Sequence, residues 1–207
     1  MMPDIKEKIY SERLSIRILW LTVAFVVIFY EVTILSYFLL PEGFLLKKNS
    51  VTDFTTSKNF LVCAMQIFSY NMLSIVVVIF GSLFARKKEG EKCYKSYGCL
   101  GFFVFIILNA ITLGTWSFTV NTNSVPLMER IIRTFDIVHN AGLLEMYGQL
   151  LITGSLATKY LVMTEGKNTT TRKIRDLKMK RSEIITLIGG LLLMFAGALI
   201  ESHAILR

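Results

Sequence analysis

Five apolar runs, each long enough to cross a bilayer, constrain this chain more than any motif in it. A hydrocarbon core of about 30 Å takes about 20 helical residues. The runs Ile18–Leu40, Phe60–Phe84, Gly98–Val120, Ile137–Val162 and Ile184–Leu206 all reach that length. Inside lipid a backbone must satisfy its own hydrogen bonds, which leaves helices or a closed barrel. Barrel strands alternate in polarity and run to about ten residues, and these runs are longer and continuously apolar. The expected fold is therefore all-α: a polytopic bundle of five transmembrane helices forming a single integral membrane domain over residues 1–207, multi-pass in the cell membrane. With 53% hydrophobic and only 18% charged residues, no stretch is left over for a soluble catalytic domain. The longest polar connection, Glu165 to Glu183, reads as a loop.

The net charge of +8 would be compatible with nucleic acid, but the basic residues sit in short segments flanking the runs, and no nucleic-acid module accompanies them. With five spans, the N-terminus and the second and fourth connections share one side. They hold sixteen Lys and Arg against six on the other, with Lys159 at the end of the fourth span. The positive-inside rule then puts the N-terminus inside and the C-terminus outside. The Asn168-Thr-Thr sequon falls on the inner side and reads as chance. The N-terminal segment Asp4–Arg17 reads either as an interfacial amphipathic helix or as a helical extension of the first span. Cys63, Cys93 and Cys99 set neither a disulfide framework nor a zinc spacing.

Each run carries one residue that lipid should reject: Glu31, Asn71, Asn109, Glu145 and Glu201. An intramembrane Glu or Asn is expected to face protein, water or a ligand. Glu145, Gln149 and Thr153 follow at i, i+4 and i+8, so they share one helical face that should point into the bundle. Gln66 and Ser69 add hydrogen-bonding groups, and His139 and His203 sit near the outer boundary on the same helices as Glu145 and Glu201. Two readings are open. One is a polar chamber opening outward, for a substrate, an ion or a partner's polar groups. The other is interhelical hydrogen bonding that fixes the packing, at roughly 0.6–2 kcal/mol per bond. Small residues predict close helix contact on the last span (Gly189, Gly190, Ala196, Gly197, Ala198) and on the fourth (Gly148, Gly154, Ser155, Ala157). No HExxH, P-loop, GxSxG elbow or paired-Glu protease motif occurs, and His139 and Glu145 lie six apart, off a common helix face. No catalytic residue, metal site or cofactor is expected.

Tyr70-Asn71-Met72 followed by Gly81, and Leu108-Asn109-Ala110 followed by Gly114, resemble the two Asn-bearing helices of the stage II sporulation protein M family. Gly142-Leu143-Leu144-Glu145 is similar to that family's Pro-His-Gly-aliphatic-aliphatic-Glu segment, and Ala196-Gly197-Ala198-Leu199-Ile200-Glu201 to its closing helix. The likeness covers roughly residues 60–205; the family's Pro is missing, and its His position is Ala141. Glu31 has no counterpart in the pattern. The resemblance implies a non-enzymatic membrane component. Its setting would be secretion, maturation or immunity toward a membrane-active bacteriocin peptide, with an ABC transporter among the partner subunits, or a sporulation-type envelope-remodelling complex. A small ion-coupled transporter is a further reading, from the buried carboxylates alone. A homo-oligomer is compatible with all three, and no nucleic-acid partner is expected.

Overall fold

The computed structural model describes residues 5–46, 57–118, 125–136 and 141–206. It is mostly helical, and four of its helices are long and apolar enough to cross a membrane: α2 (Leu14–Leu39), α3 (Phe60–Ser82), α4 (Tyr97–Gly114) and α7 (Arg181–Leu206). Side chains at two of the starts satisfy backbone donors left orphaned in the first helical turn. Asn59 accepts from the N–H groups of Leu61 and Val62 at 3.1 and 3.3 Å, and Ser96 accepts from Gly98 N–H at 3.1 Å. A short α1 (Ile5–Ile9) precedes α2 and is separated from it by a turn, so the N-terminal segment is not a continuous extension of the first span. Lys8 of α1 sits over the Trp20 ring at 4.0 Å. A second short helix, α5 (Leu127–Arg133), lies at the opposite end of the bundle.

The fourth apolar run departs from expectation. Its helix α6 covers Gly142–Leu156, 15 residues, or about 22 Å at 1.5 Å per residue. Residues 137–140, where the run begins, lie outside the described residues. At the other end the helix stops because the chain is recruited into a sheet: Leu161 and Val162 N–H both donate to Leu83 O, at 2.8 and 2.9 Å. β1 (Phe84–Lys87) pairs in parallel with β3 (Val162–Glu165), and β2 (Lys95–Ser96) and β4 (Asn168–Thr171) flank them, giving the order β2-β1-β3-β4. The all-α expectation is corrected accordingly. Phe84 and Val162, counted as the ends of spans, are strand residues, and the polar Thr169-Thr170-Thr171 run is strand rather than loop. β-branched residues at 162, 164 and 169–171 favour the extended state. β3 and β4 join by a two-residue turn in which Gly166 takes a φ of +59°, a value glycine adopts without a Cβ penalty.

The sheet gathers the connections after α3 and α6 at one end of the bundle. The N-terminal segment meets them there through a Lys92–Glu7 ion pair of 3.4 Å. The main core lies between α2, α4 and α6, with Leu21, Phe25, Phe29, Phe102, Ile106 and Leu150 buried. A second core joins α3, α6 and α7 through Ile75, Ile152 and Met194. The closest packing is α6 on α7, and glycine permits it. A Cβ on Gly148 would stand 2.7 Å from Gly190 O, and one on Gly190 would stand 2.7 Å from Gly148 O. The predicted small-residue faces thus meet each other at Gly148 and Gly190, whereas Gly154 packs against Ile18 and Leu21 of α2 and Gly189 faces open space.

Candidate functional site

Three of the intramembrane polar residues come together and two do not. Asn71 of α3, Glu145 of α6 and Glu201 of α7 are all half-buried. The Asn71 side chain lies against the Glu145 carboxyl, and Glu201 is near enough for the two carboxyls to interact electrostatically. Gly197 makes room for this: a Cβ there would stand 2.6 Å from Glu145 Cγ. Below Glu145 on the same face, Gln149 is buried and Thr153 fully so, as the i, i+4, i+8 spacing predicts. Gln149 Nε2 donates to Ser74 Oγ at 3.0 Å, and Ser74 Oγ donates to Asn71 O at 2.6 Å. Thr153 Oγ1 turns back to Gln149 O at 2.7 Å.

This cluster has hydrogen-bonding capacity left over. Asn71 Nδ2, Glu145 Oε1 and Gln149 Oε1 are buried and lack a hydrogen bond of good geometry, although the Asn71 amide lies against the Glu145 carboxyl. Buried polar atoms are satisfied in the great majority of cases, and exceptions call for a reason. A set of polar groups serving only to bind helices together would close its bonds internally. Chemically, the cluster can accept hydrogen bonds at Glu145 and Gln149 and donate one from Asn71, and its two carboxyls can meet a cationic group.

Glu31 and Asn109 are elsewhere. Glu31, expected to face protein, water or a ligand, is exposed on the outer face of α2. Asn109, for which interhelical hydrogen bonding is one of the two readings, is also exposed, and its Nδ2 donates to Phe105 O of its own helix at 2.9 Å. For Glu31 the cause is that α2 is apolar all round, so no amphipathic signal fixes which side is inward. Gln66 Oε1 accepts from Ser57 N–H at 2.9 Å, and Ser69 is exposed. His203 is exposed beside the Phe60 ring; His139 lies outside the described residues.

Two charged clusters at the ends of the bundle were not singled out by the sequence. At the sheet end, Arg17 of α2 and Glu183 of α7 are both fully buried and pair at 3.1 Å. Lys159 Nζ reaches the other Glu183 oxygen at 2.8 Å, and Lys180 N–H donates to that oxygen at 2.8 Å. Arg17 also donates to Ser11 O at 2.9 Å and Thr158 Oγ1 at 3.2 Å. On the sheet itself, the Lys87 ammonium at 2.7 Å and the Tyr94 hydroxyl at 2.9 Å hold Glu165 below the usual carboxylate range. The Lys95 ammonium, with the Lys88 N–H, does the same for Glu91.

At the opposite end Arg130 is buried under the loops. It donates to Glu42 at 2.6 Å, Val125 O at 2.7 Å and Gly114 O at 2.5 Å, and lies over the Tyr37 ring at 4.8 Å. Trp116, with an unusual φ of 52° for a non-glycine, sits beside the same guanidinium at 5.3 Å. A left-handed residue just past a helix end is ordinarily glycine; here the ring's contact with Arg130 accompanies the strained backbone. Pairings between residues this distant in sequence leave no local trace.

Among the described residues no three His, Cys, Asp or Glu gather as a metal site, and no disulfide joins the cysteines. No protein-family model, curated protein or solved structure matches the chain.

Proposed function

We propose that this chain is a non-catalytic, five-pass subunit of a bacterial cell-membrane system that secretes, matures or confers immunity to a membrane-active peptide. One observation carries the reading: Asn71, Glu145 and Gln149 keep buried, unfilled hydrogen-bonding capacity beside a second acid, Glu201. Such a cluster suits the polar or cationic groups of a partner better than a closed structural role. The resemblance to the stage II sporulation protein M family, carried by Asn71, Asn109, Glu145 and Glu201 in order, supports the same direction.

The five-pass orientation is supported by the gathering of the N-terminal segment, residues 83–96 and residues 157–180 at one end. Those segments carry the bulk of the positive charge, which favours the inner side. α6 is then the fourth crossing, with Glu145 toward the outer surface.

The test is expression in a peptide-sensitive bacterium challenged with a cationic circular peptide. A several-fold rise in the inhibitory concentration supports the proposal; unchanged sensitivity, with the protein present in the membrane, contradicts it. The proximity of Glu145 to Glu201 favours a second reading, an ion-coupled carrier. Proteoliposomes loaded with a pH-sensitive dye would report proton flux dependent on Glu145 if that reading is correct, and none if it is not.

A further inference from the structure

α2 and α7 begin at the same end of the bundle, where the buried Arg17–Glu183 pair joins them, and α6 packs against both. A cavity of about 660 Å³ opens between the two helix starts, a size typical of sites for small molecules. Its polar lining is Glu12, Arg13 and Ser15 at the start of α2, with Lys180 and Ser182 at the start of α7. Ile18 and Leu151 of α6 add apolar wall, Ile18 lying about 6 Å further along the axis than Leu14. Among the described residues, none of the three charged side chains makes a hydrogen bond or an ion pair. No side chain caps α2, so its first-turn N–H groups are open as well. Two cations against one carboxylate line the cavity, and nearby Arg17 and Lys159 share the single Glu183, so the surroundings are net positive. Both helices are long and apolar enough to cross a membrane, which puts their starts, and the cavity between them, at headgroup level.

We propose that this cavity binds an anionic phospholipid of the phosphatidylglycerol kind. Its phosphate meets Arg13 and Lys180, with the Ser15 and Ser182 hydroxyls as further donors. Glu12 accepts from a headgroup hydroxyl, and an acyl chain runs past Ile18 and Leu151 toward the hydrocarbon core. Basic pockets between membrane helices at the surface are where anionic headgroups are held. A phosphate free in solution would leave the apolar wall unused. A choline headgroup offers Glu12 no donor and carries no net charge. The inference needs only that α2 and α7 cross the membrane; it is independent of the peptide reading and of which end faces inward.

The experiment uses the full chain, purified in a neutral detergent. Phosphatidylglycerol, phosphatidylethanolamine and phosphatidylcholine of matched acyl chains are titrated in, and retained lipid is read by native mass spectrometry. Phosphatidylglycerol is expected to bind about ten-fold or more tighter than the other two. Arg13→Gln with Lys180→Gln should weaken it about thirty-fold, at about five-fold per surface cation. Lys173→Gln with Arg175→Gln, an equal loss of exposed charge elsewhere, should change it less than about three-fold. Ser182→Trp, which fills the cavity and keeps every charge, should also lose the lipid. Glycerol 3-phosphate, which has the phosphate without the acyl chains, should not compete. Equal retention of the three lipids, competition by glycerol 3-phosphate, or equal losses in the two double variants would each overturn the proposal. So would a Ser182→Trp variant that binds like wild type. Should the variants fail to accumulate, the comparison of lipids on the wild type decides the matter.

Discussion

The Arg17–Glu183 pair makes the sharpest energetic prediction. Both side chains are fully buried, and Glu183 is shared by Arg17 at 3.1 Å, Lys159 at 2.8 Å and the Lys180 N–H at 2.8 Å. Glu183→Gln keeps the shape and an acceptor oxygen but leaves a buried guanidinium without its counter-charge. Breaking a buried pair in this way costs about 3–5 kcal/mol. At about 2–4 °C per kcal/mol for a chain of this size, the Tm should fall by about 6–20 °C. Arg17→Met should cost less, because Glu183 keeps Lys159 and the backbone donor. The double variant should lose clearly less than the sum of the two singles, since the charges that suffer alone are removed together. Thermal unfolding in detergent, followed by circular dichroism or by fluorescence of Trp20 and Trp116, measures all three. A loss below about 1 kcal/mol for Glu183→Gln, or strict additivity, would refute the reasoning.

Three further outcomes are expected. Gly148→Leu should destabilise the α6–α7 contact by about 1–3 kcal/mol or more through overpacking, while Gly189→Leu, which meets open space, should be nearly neutral; parallel melting curves decide. Glu145→Gln should leave expression and melting close to wild type while abolishing protection against the peptide, and full protection at equal expression would remove Glu145 from the site. Because Glu165 is held below its ordinary value of 4.5 in the fold, its contribution to the sheet is present above that value. It is lost as pH falls through the lower folded value. Acidification should therefore loosen β1–β3 in the wild type, read by hydrogen-exchange protection, and Glu165→Gln should remove that dependence.

The helices α2, α3, α4 and α7 were legible because length and continuous hydrophobicity alone decide a span. α6 was only partly so: its run is long enough, but pairing of Val162–Glu165 with Phe84–Lys87 claims the end of it, and a sequence window cannot weigh a partner eighty residues away. The strands left a trace, in Thr169-Thr170-Thr171 and in Gly166-Lys167 between two β-prone segments, hidden by the charges around them. Within the candidate site, the i, i+4, i+8 pattern on α6 was sufficient to orient Glu145, Gln149 and Thr153 inward. Glu31 carried no such pattern, since its helix is apolar on every side. Arg17 and Glu183 each look like interfacial charges in their own segments; only packing of α2 near α7 turns them into a buried pair.

The crossing of α6 underlies both the outward placement of Glu145 and the proposed role, and one labelling experiment addresses it directly. In a background with Cys63, Cys93 and Cys99 replaced by Ala or Ser, Lys167→Cys and His203→Cys are treated with a membrane-impermeant thiol reagent. Five crossings predict that His203→Cys labels in intact cells and Lys167→Cys only after permeabilisation. Four crossings, with α6 remaining on the outer side, would reverse both results and contradict the account.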